Sequence, residues 1–110
     1  MLRIRPDVVE LPEVVITDGN AASDYTRFAQ APGGLAIVDR DRTFAEWWTS
    51  DDRFEHWERK RRKCAEVLVP DVLPAPYIDG AYVSCEQSLH LLRTVAPNLA
   101  IKVDAHFFFL

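Results

Sequence analysis

The stretch WERKRRKCAEVLVP, residues 57–70, joins a run of five cations to a short apolar segment that holds one carboxylate. Every residue from Arg59 to Lys63 is basic, and Glu66 is the one charge in the segment CAEVLV that follows. An ionised carboxylate is costly to bury without a partner. The position of Glu66 within a predicted strand therefore requires an explanation.

Strand alternation offers two explanations for Glu66. A strand over residues 64–69 places alternate side chains on opposite faces. One face is then uniformly core-like, and the other carries Glu66 (Ala65, Val67 and Val69 against Cys64, Glu66 and Leu68). The Glu66 face is either an ordinary solvent face or the wall of a cleft, where rigid strands often hold catalytic carboxylates.

Length and charge limit the possible classes of protein. The chain has 110 residues, which suits one domain. Its formal net charge is −4, so it is not a globally basic nucleic-acid binder. Five of its thirteen basic residues nevertheless lie in the run at 59–63. A polyanion would have to bind this local patch instead of the whole surface.

The cysteines, histidines and apolar runs indicate a soluble protein of the cytoplasm without a metal site. Cys64 and Cys85 are too few for a disulfide framework, and we expect both to be reduced core residues. His56, His90 and His106 lack metal-ligand spacing. The N-terminus has no signal-peptide pattern, and no apolar run approaches the ~20 residues that span a bilayer.

Short strands separated by helices predict the α+β class, with one small sheet. Asn20 is a possible N-cap, and Thr43 with Glu46 has the spacing of a capping box. Strands are predicted at 14–17, 64–69, 80–84 and within 100–110, and a strand or extended chain at 35–39. Helices are predicted at 20–30, 43–48, 51–63 and 85–95.

The basic run and an aromatic group each have two interpretations. Arg59 and Arg62 share a helix face, which is either a solvated helix end or a phosphate-binding patch. The aromatic group normally indicates core, but two adjacent tryptophans cannot both face inward on one helix. One of them would then be available to stack on a nucleobase. The group consists of Phe44, Trp47, Trp48, Phe54 and Trp57.

Three stretches together resemble the C-terminal half of the DarT family. They are VVITDGNAASDYTRF (14–28), WERKRRKCAEVLVPDVLP (57–74), and the later AYV with its helix and closing strand. DarT proteins are the toxins of bacterial toxin–antitoxin pairs, and they ADP-ribosylate bases in single-stranded DNA with NAD. The resemblance implies a partial ADP-ribosyltransferase-like domain over residues 14–110, preceded by an N-terminal linker at 1–13.

The resemblance also implies roles for particular residues. Glu66 would be catalytic: it would hydrogen-bond the ribose next to nicotinamide and stabilise the positive charge that develops at the anomeric carbon. The family usually has histidine at the position of Asn20. Contacts with DNA or with the NAD phosphates are implied for Asn20, Trp48, Arg59, Arg61 and Arg62. NAD would be the co-substrate of this glycosyltransferase, without a metal, and a macrodomain antitoxin would be its partner.

The family's N-terminal half, which supplies most of the NAD pocket, has no recognised counterpart in residues 1–13. We therefore expect a fragment, a remnant, or one half of a split enzyme that a separate N-terminal half completes. Two alternatives to catalysis remain open. One is a binding module that grips single-stranded DNA through the basic and aromatic segment. The other is an element whose sheet edge pairs with a partner protein.

Overall fold

The computed structural model of the chain describes residues 1–108, which form two compact units of the α+β type. The first unit consists of residues 1–8 and 73–108, and the second is Val9–Val72. In chain order the elements are β1 (Leu2–Ile4), β2 (Val15–Thr17), β3 (Phe28–Gln30), α1 (Arg40–Thr43), α2 (Arg53–Lys63), β4 (Val67–Leu68), β5 (Ile78–Val83), α3 (Glu86–Val95) and β6 (Ile101–Val103). The α+β class predicted from the sequence is confirmed.

The first unit is a three-stranded sheet in the order β1–β5–β6. β1 runs antiparallel to β5, and β6 runs parallel to it. The parallel pair needs a crossover, which α3 supplies. Ala81, Val83 and Leu89 are buried in this unit. Residues 2–4, expected to be linker, instead form the edge strand β1, because their backbone groups hydrogen-bond to β5.

The second unit is an antiparallel sheet in the order β3–β2–β4. β2 is central, and the fully buried residues Val14, Ile16, Thr17 and Asp18 lie on it or beside it. The sequence predicted one sheet, whereas the described residues contain two. The prolines at 70, 74 and 76 lie between β4 and β5.

The predictions for β2, β5, α2, α3 and the closing strand β6 are confirmed. The Oδ1 atom of Asp52 caps α2 by accepting from the Glu55 N–H at 2.8 Å. The basic run forms the last turn of this helix, where cations interact favourably with the helix dipole. β6 is followed by a 3-10 turn over Ala105–Phe107, and the last two residues of the predicted closing segment lie outside the described residues.

The helix predicted at 20–30 is wrong. Residues 20–27 form turns, and Phe28–Gln30 pairs with β2 as strand β3. Local side chains satisfy the backbone groups that a helix would use. The Asn20 side chain accepts from the Ala22 N–H at 2.9 Å, and the Asp18 side chain accepts from the Arg27 N–H at 2.9 Å.

Two neighbouring predictions are also wrong. The segment at 35–39, predicted to be extended, lies largely in a 3-10 helix over Gly33–Ile37. The aromatic helix predicted at 43–48 is absent from the described residues, where α1 begins three residues earlier and ends at Thr43. The N-cap is Asp39, whose side chain accepts from the Arg42 N–H at 3.0 Å. The capping residue is therefore Asp39 instead of Thr43.

Cys64 and Cys85 are free and exposed, so the prediction that they are core residues is wrong. Each lies at a helix end: Cys64 follows α2, and Cys85 precedes α3. Among residues 1–108, no helix is long and apolar enough to cross a membrane.

Candidate active site

Glu66 immediately precedes β4, and the buried side chain of Thr17 fixes its backbone. The Glu66 N–H donates to the Thr17 hydroxyl at 2.8 Å, and the Thr17 N–H donates to the Glu66 carbonyl at 2.9 Å. The Thr17 hydroxyl donates in turn to the Gly19 carbonyl at 2.7 Å. Glu66 is therefore anchored to the central strand, although β4 itself begins one residue later.

The carboxylate of Glu66 is exposed to solvent, yet a hydrogen bond fixes its orientation. Its Oε2 atom accepts a hydrogen bond from the Ala21 N–H at 2.8 Å. Ala21 belongs to the TDGNAA turn that follows β2. A backbone donor on this turn therefore fixes one carboxylate oxygen, while the group as a whole stays accessible to solvent.

Glu66 lines a cavity of about 380 Å³. The cavity walls are mostly apolar, and the charged residues among them are Glu66 and Arg40. The predicted face alternation fails here, because Ala65, Glu66 and Val67 all line this cavity and Val67 is 45% exposed. An apolar cavity with a few convergent polar groups is typical of a ligand site. The remaining lining residues are Ile16, Thr17, Leu35, Val38, Thr43 and Phe44.

The turn that carries Ala21 belongs to a loop, residues 18–27, closed at its base by Asp18 and Arg27. The Asp18 N–H donates to the Arg27 carbonyl at 3.2 Å, and the Arg27 N–H donates to Asp18 Oδ1 at 2.9 Å. The Arg27 Nε atom also donates to Asp18 Oδ2 at 3.0 Å. We call these residues the Asp18–Arg27 loop.

The guanidinium group of Arg61 lies against this loop. Its Nη1 atom donates to Asp18 Oδ1 and to the Thr26 hydroxyl, both at 3.1 Å. The Thr26 hydroxyl donates to the Asn20 carbonyl at 2.6 Å, and the Asn20 N–H donates to the Arg61 carbonyl at 3.0 Å. Gly19 is required at this contact, because a Cβ atom there would lie 2.6 Å from Arg61 Nη1 and 2.8 Å from the Arg61 carbonyl oxygen.

Glu58 of α2 joins Asp18, Arg27, Arg61 and Arg62 in a set of ion pairs that we call the ion cluster. Its carboxylate accepts from Arg61 Nε at 2.9 Å and from Arg62 Nε at 2.7 Å. The hydrogen bond from Arg61 is the main cause that lowers the Glu58 pKa to about 2. Burial acts to raise the Asp18 pKa, but the hydrogen bonds from Arg27 and Arg61 outweigh it and lower that pKa to about 2. Both carboxylates are therefore ionised at neutral pH.

The predicted DNA-contacting residues separate into two groups. Arg61 is only 6% exposed, and Arg62 donates to Glu58 and to Asp18, so both guanidinium groups already bind protein carboxylates. Arg61 and Arg62 thus have structural contacts within the chain, and their contact with phosphate stays a prediction. Arg59 and Asn20 lie at the surface, although Arg59 donates to Glu55 Oε1 at 2.8 Å.

Trp48 is half-buried, and the other aromatic side chains are more exposed than a core interpretation allows. The Trp48 ring centroid lies 5.4 Å from that of His56 and 6.0 Å from the Lys60 Nζ atom. Phe54 is 85% exposed. The prediction that this aromatic group is mostly core is therefore wrong.

An open groove of about 610 Å³ lies between the Asp18–Arg27 loop and α2. It is lined by Tyr25, Arg53, Phe54 and Trp57, and we call it the aromatic groove. The rings of Tyr25 and Trp57 meet edge to face, with their centroids 5.2 Å apart. Tyr25 was not among the predicted site residues, because it lies in the helix predicted at 20–30, which does not form.

Within residues 1–108, no group of three or more His, Cys, Asp or Glu residues is arranged to hold a metal ion.

A family profile described as "ssDNA thymidine ADP-ribosyltransferase, DarT" matches residues 1–109 of this chain. The match includes residues 1–13, in which the sequence analysis recognised no family feature. A DNA ADP-ribosyl transferase–DNA ADP-ribosyl glycohydrolase fusion protein from Thermosipho africanus (strain H17ap60334) is 29% identical over 118 residues, covering 100% of this chain and 28% of that protein.

The fold is similar to solved structures from two organisms. Thermosipho africanus DarTG in complex with ADP-ribose has a TM-score of 0.78 at 28% identity, over 99% of this chain and 28% of that one. Thermus sp. 2.9 DarT has a TM-score of 0.69 in complex with NAD+ (18% identity, 87% of this chain and 49% of that one). In complex with ADP-ribosylated ssDNA its TM-score is 0.76 (20% identity, 98% and 53%). The chain thus spans about half the Thermus protein and 28% of the Thermosipho protein.

The ion cluster predicts a loss of stability in acid. The two depressed carboxyl pKa values stabilise the fold above the ordinary values of 3.8 for Asp18 and 4.5 for Glu58, and this contribution disappears as the pH falls through about 2. For the buried Asp18 it is on the order of 2 kcal/mol. We expect the free energy of unfolding, measured with urea and tryptophan fluorescence, to fall between pH 5 and pH 2 by roughly this amount or more.

Glu58→Gln should reduce this dependence on pH, whereas Asp24→Asn, a matched change of an exposed carboxylate on the loop, should preserve it. An unfolding free energy of the wild-type chain that is constant across this pH range would contradict the assigned ion cluster.

Proposed function

The chain belongs to the DarT family of ssDNA thymidine ADP-ribosyltransferases, and from this premise we propose that it supplies the catalytic carboxylate for NAD-dependent ADP-ribosylation of thymidine in single-stranded DNA. Glu66 is the proposed catalytic residue. The observation that carries the proposal is its exposed carboxylate, fixed by the Ala21 N–H at the wall of an apolar cavity.

This geometry suits a reaction that develops positive charge on a sugar. The bond from the ribose anomeric carbon to nicotinamide breaks, nicotinamide leaves with the bonding electrons, and the base bonds to that carbon and releases a proton. Glu66 would hydrogen-bond the ribose hydroxyls through the carboxylate oxygen that faces away from Ala21. Its negative charge would stabilise the cationic transition state more than the ground state.

The cavity offers a fitting but partial set of contacts for NAD. Arg40 lines it, and a guanidinium group binds phosphate oxygens well. The apolar walls would exclude water from the reacting carbon. The rest of the family domain, whether on this polypeptide or on a separate one, would supply further NAD contacts.

The aromatic groove is the proposed contact surface for the DNA strand. Phe54 and Tyr25 present exposed rings beside Trp57, and Arg53 adds a cation for the phosphate backbone. Every base has a face that can stack on such rings, so this contact would tolerate any sequence. Trp48, Arg59 and Asn20 remain proposed contacts on the same unit.

We also propose that the modification is reversible and that the chain acts in the cytoplasm as the toxin of a toxin–antitoxin pair. The Thermosipho relative is named as a fusion of the transferase with a DNA ADP-ribosyl glycohydrolase. A glycohydrolase antitoxin of the macrodomain type would remove the ADP-ribose that the transferase adds.

Glu66→Gln tests the catalytic assignment. Thymidine-containing single-stranded oligonucleotides would be incubated with NAD and with the chain, alone and together with the rest of the domain, and their intact mass measured. We expect a gain of one ADP-ribose with the wild-type sequence and a rate lower by about a hundredfold or more with Glu66→Gln, because the amide keeps the shape but loses the charge.

Glu46→Gln is the matched control, since Glu46 is an exposed carboxylate outside the cavity lining. Equal modification by the wild type and by Glu66→Gln would contradict the assignment.

A second candidate function is DNA binding without chemistry, and the aromatic groove is the observation that favours it. Phe54→Ala should weaken binding of a fluorescent single-stranded oligonucleotide by about fivefold to a hundredfold, which corresponds to loss of one stacked base. Phe107→Ala is the matched control on an exposed ring of the other unit. Unchanged affinity in Phe54→Ala, or an equal loss in Phe107→Ala, would remove the groove from the binding surface.

Both hypotheses, DNA binding without chemistry and catalysis by Glu66, expect Glu66→Gln to leave the affinity for the oligonucleotide nearly unchanged. The two functions are therefore separated by the mass assay alone.

A further inference from the structure

We propose that Arg61 is a positioning residue that controls the orientation of the Glu66 carboxylate through the Asp18–Arg27 loop. The Arg61 side chain does not contact Glu66. It contacts Asp18 and Thr26, and the loop that these residues belong to presents the Ala21 N–H to Glu66 Oε2. The catalytic consequence rests on the proposed function, whereas the structural consequence does not.

The position of the Asp18–Arg27 loop depends on Arg61. Asp18 has no exposed surface, and Arg61 supplies one of the cations that stabilise its negative charge. The same Nη1 atom donates to the Thr26 hydroxyl, which in turn donates to the Asn20 carbonyl at 2.6 Å. One guanidinium nitrogen thus contacts both sides of the base of the loop, at Asp18 and at Thr26.

Close contacts with Arg61 leave the loop little room to move. Gly19 lies so close that a single added carbon would clash with the Arg61 side chain and with its carbonyl oxygen. The Asn20 N–H donates to that carbonyl at 3.0 Å. Ala21, the residue that binds the carboxylate, comes directly after this contact.

The contacts of Thr17 with Glu66 do not orient the Glu66 carboxylate. The Thr17 contacts hold the Glu66 backbone, but they leave the torsions of its side chain free to rotate. Among residues 1–108, the Ala21 N–H is the hydrogen-bond donor assigned to this carboxylate. The orientation of the exposed carboxylate therefore depends on the loop, and the position of the loop depends on Arg61.

The test is the response of the Ala21 amide proton to Glu66, measured by NMR at neutral pH. Glu66→Gln removes the charge that this amide binds, so its proton chemical shift should change. We expect this change in the wild-type background and its loss in the Arg61→Lys background, because the single nitrogen of lysine cannot bond to Glu58 and to Asp18 and Thr26 together, as the three guanidinium nitrogens do. The amide of Ile16 in β2 reports whether the sheet persists.

Two further variants keep the test decisive. Arg42→Lys changes another ion-paired arginine, which bonds to Asp39 and Glu55, and it should leave the Ala21 response intact. If Arg61→Lys does not fold, Thr26→Val removes the bridging hydroxyl alone and should weaken the same response. A full Ala21 response in a folded Arg61→Lys or Thr26→Val variant would overturn the proposal.

Measurements of ADP-ribose transfer test the role of Arg61 separately from the proposed function of the chain. In the active assembly, Arg61→Lys should lower kcat by about tenfold to a hundredfold with little change in the KM for NAD, as expected for a misplaced catalytic group. If the assembly shows no transfer at all, the proposed function fails, whereas the Ala21 response still decides the role of Arg61. An equal loss of affinity and of turnover would indicate general damage and contradict a positioning role.

Discussion

The buried carboxylate of Asp18 is the constraint on which the second unit depends. A buried charge is stable only with ion-pair or hydrogen-bond partners, and Asp18 pairs with the side chains of Arg27, Arg61 and Arg62. These partners come from the far end of its own loop and from the last turn of α2. One carboxylate therefore closes the loop and attaches the loop to the helix. Removing Arg61, the buried partner of the buried Asp18, is expected to cost about 3–5 kcal/mol, because the Asp18 charge stays buried.

The burial of Asp18 also separates the basic run, residues 59–63, into residues that pair with it and residues that do not. Arg61 and Arg62 pair with Asp18 and Glu58, whereas Arg59 pairs with Glu55 and Lys60 is exposed. The run is therefore less available to a polyanion than its sequence indicates. In our proposal, the exposed rings of the aromatic groove provide the alternative surface, and they lie on the Asp18–Arg27 loop and α2, which the same ion cluster joins.

The sequence predicted the elements whose signals are local and strong. β2 is β-branched and ends at Asp18–Gly19, and α2 has Asp52 at its start and cations at its end. The prediction failed at the loop that replaces the predicted helix at 20–30, because the side chains of Asn20 and Asp18 accept from backbone N–H groups two and nine residues away. The spacing of Glu58 to Arg61 and Arg62 was readable in the sequence as i,i+3 and i,i+4 pairs. The pairing of these arginines with Asp18 could not be predicted from the sequence, because Asp18 lies 43 residues before Arg61.

The central claim is that a backbone donor on the Asp18–Arg27 loop holds the carboxylate of Glu66 in place. The most direct measurement is the scalar coupling across that hydrogen bond, between the Ala21 amide nitrogen and the Glu66 side-chain carboxyl carbon. We expect a detectable coupling together with slow hydrogen exchange of the Ala21 amide. An absent coupling, with Ala21 exchanging as fast as an amide open to water, would contradict the claim.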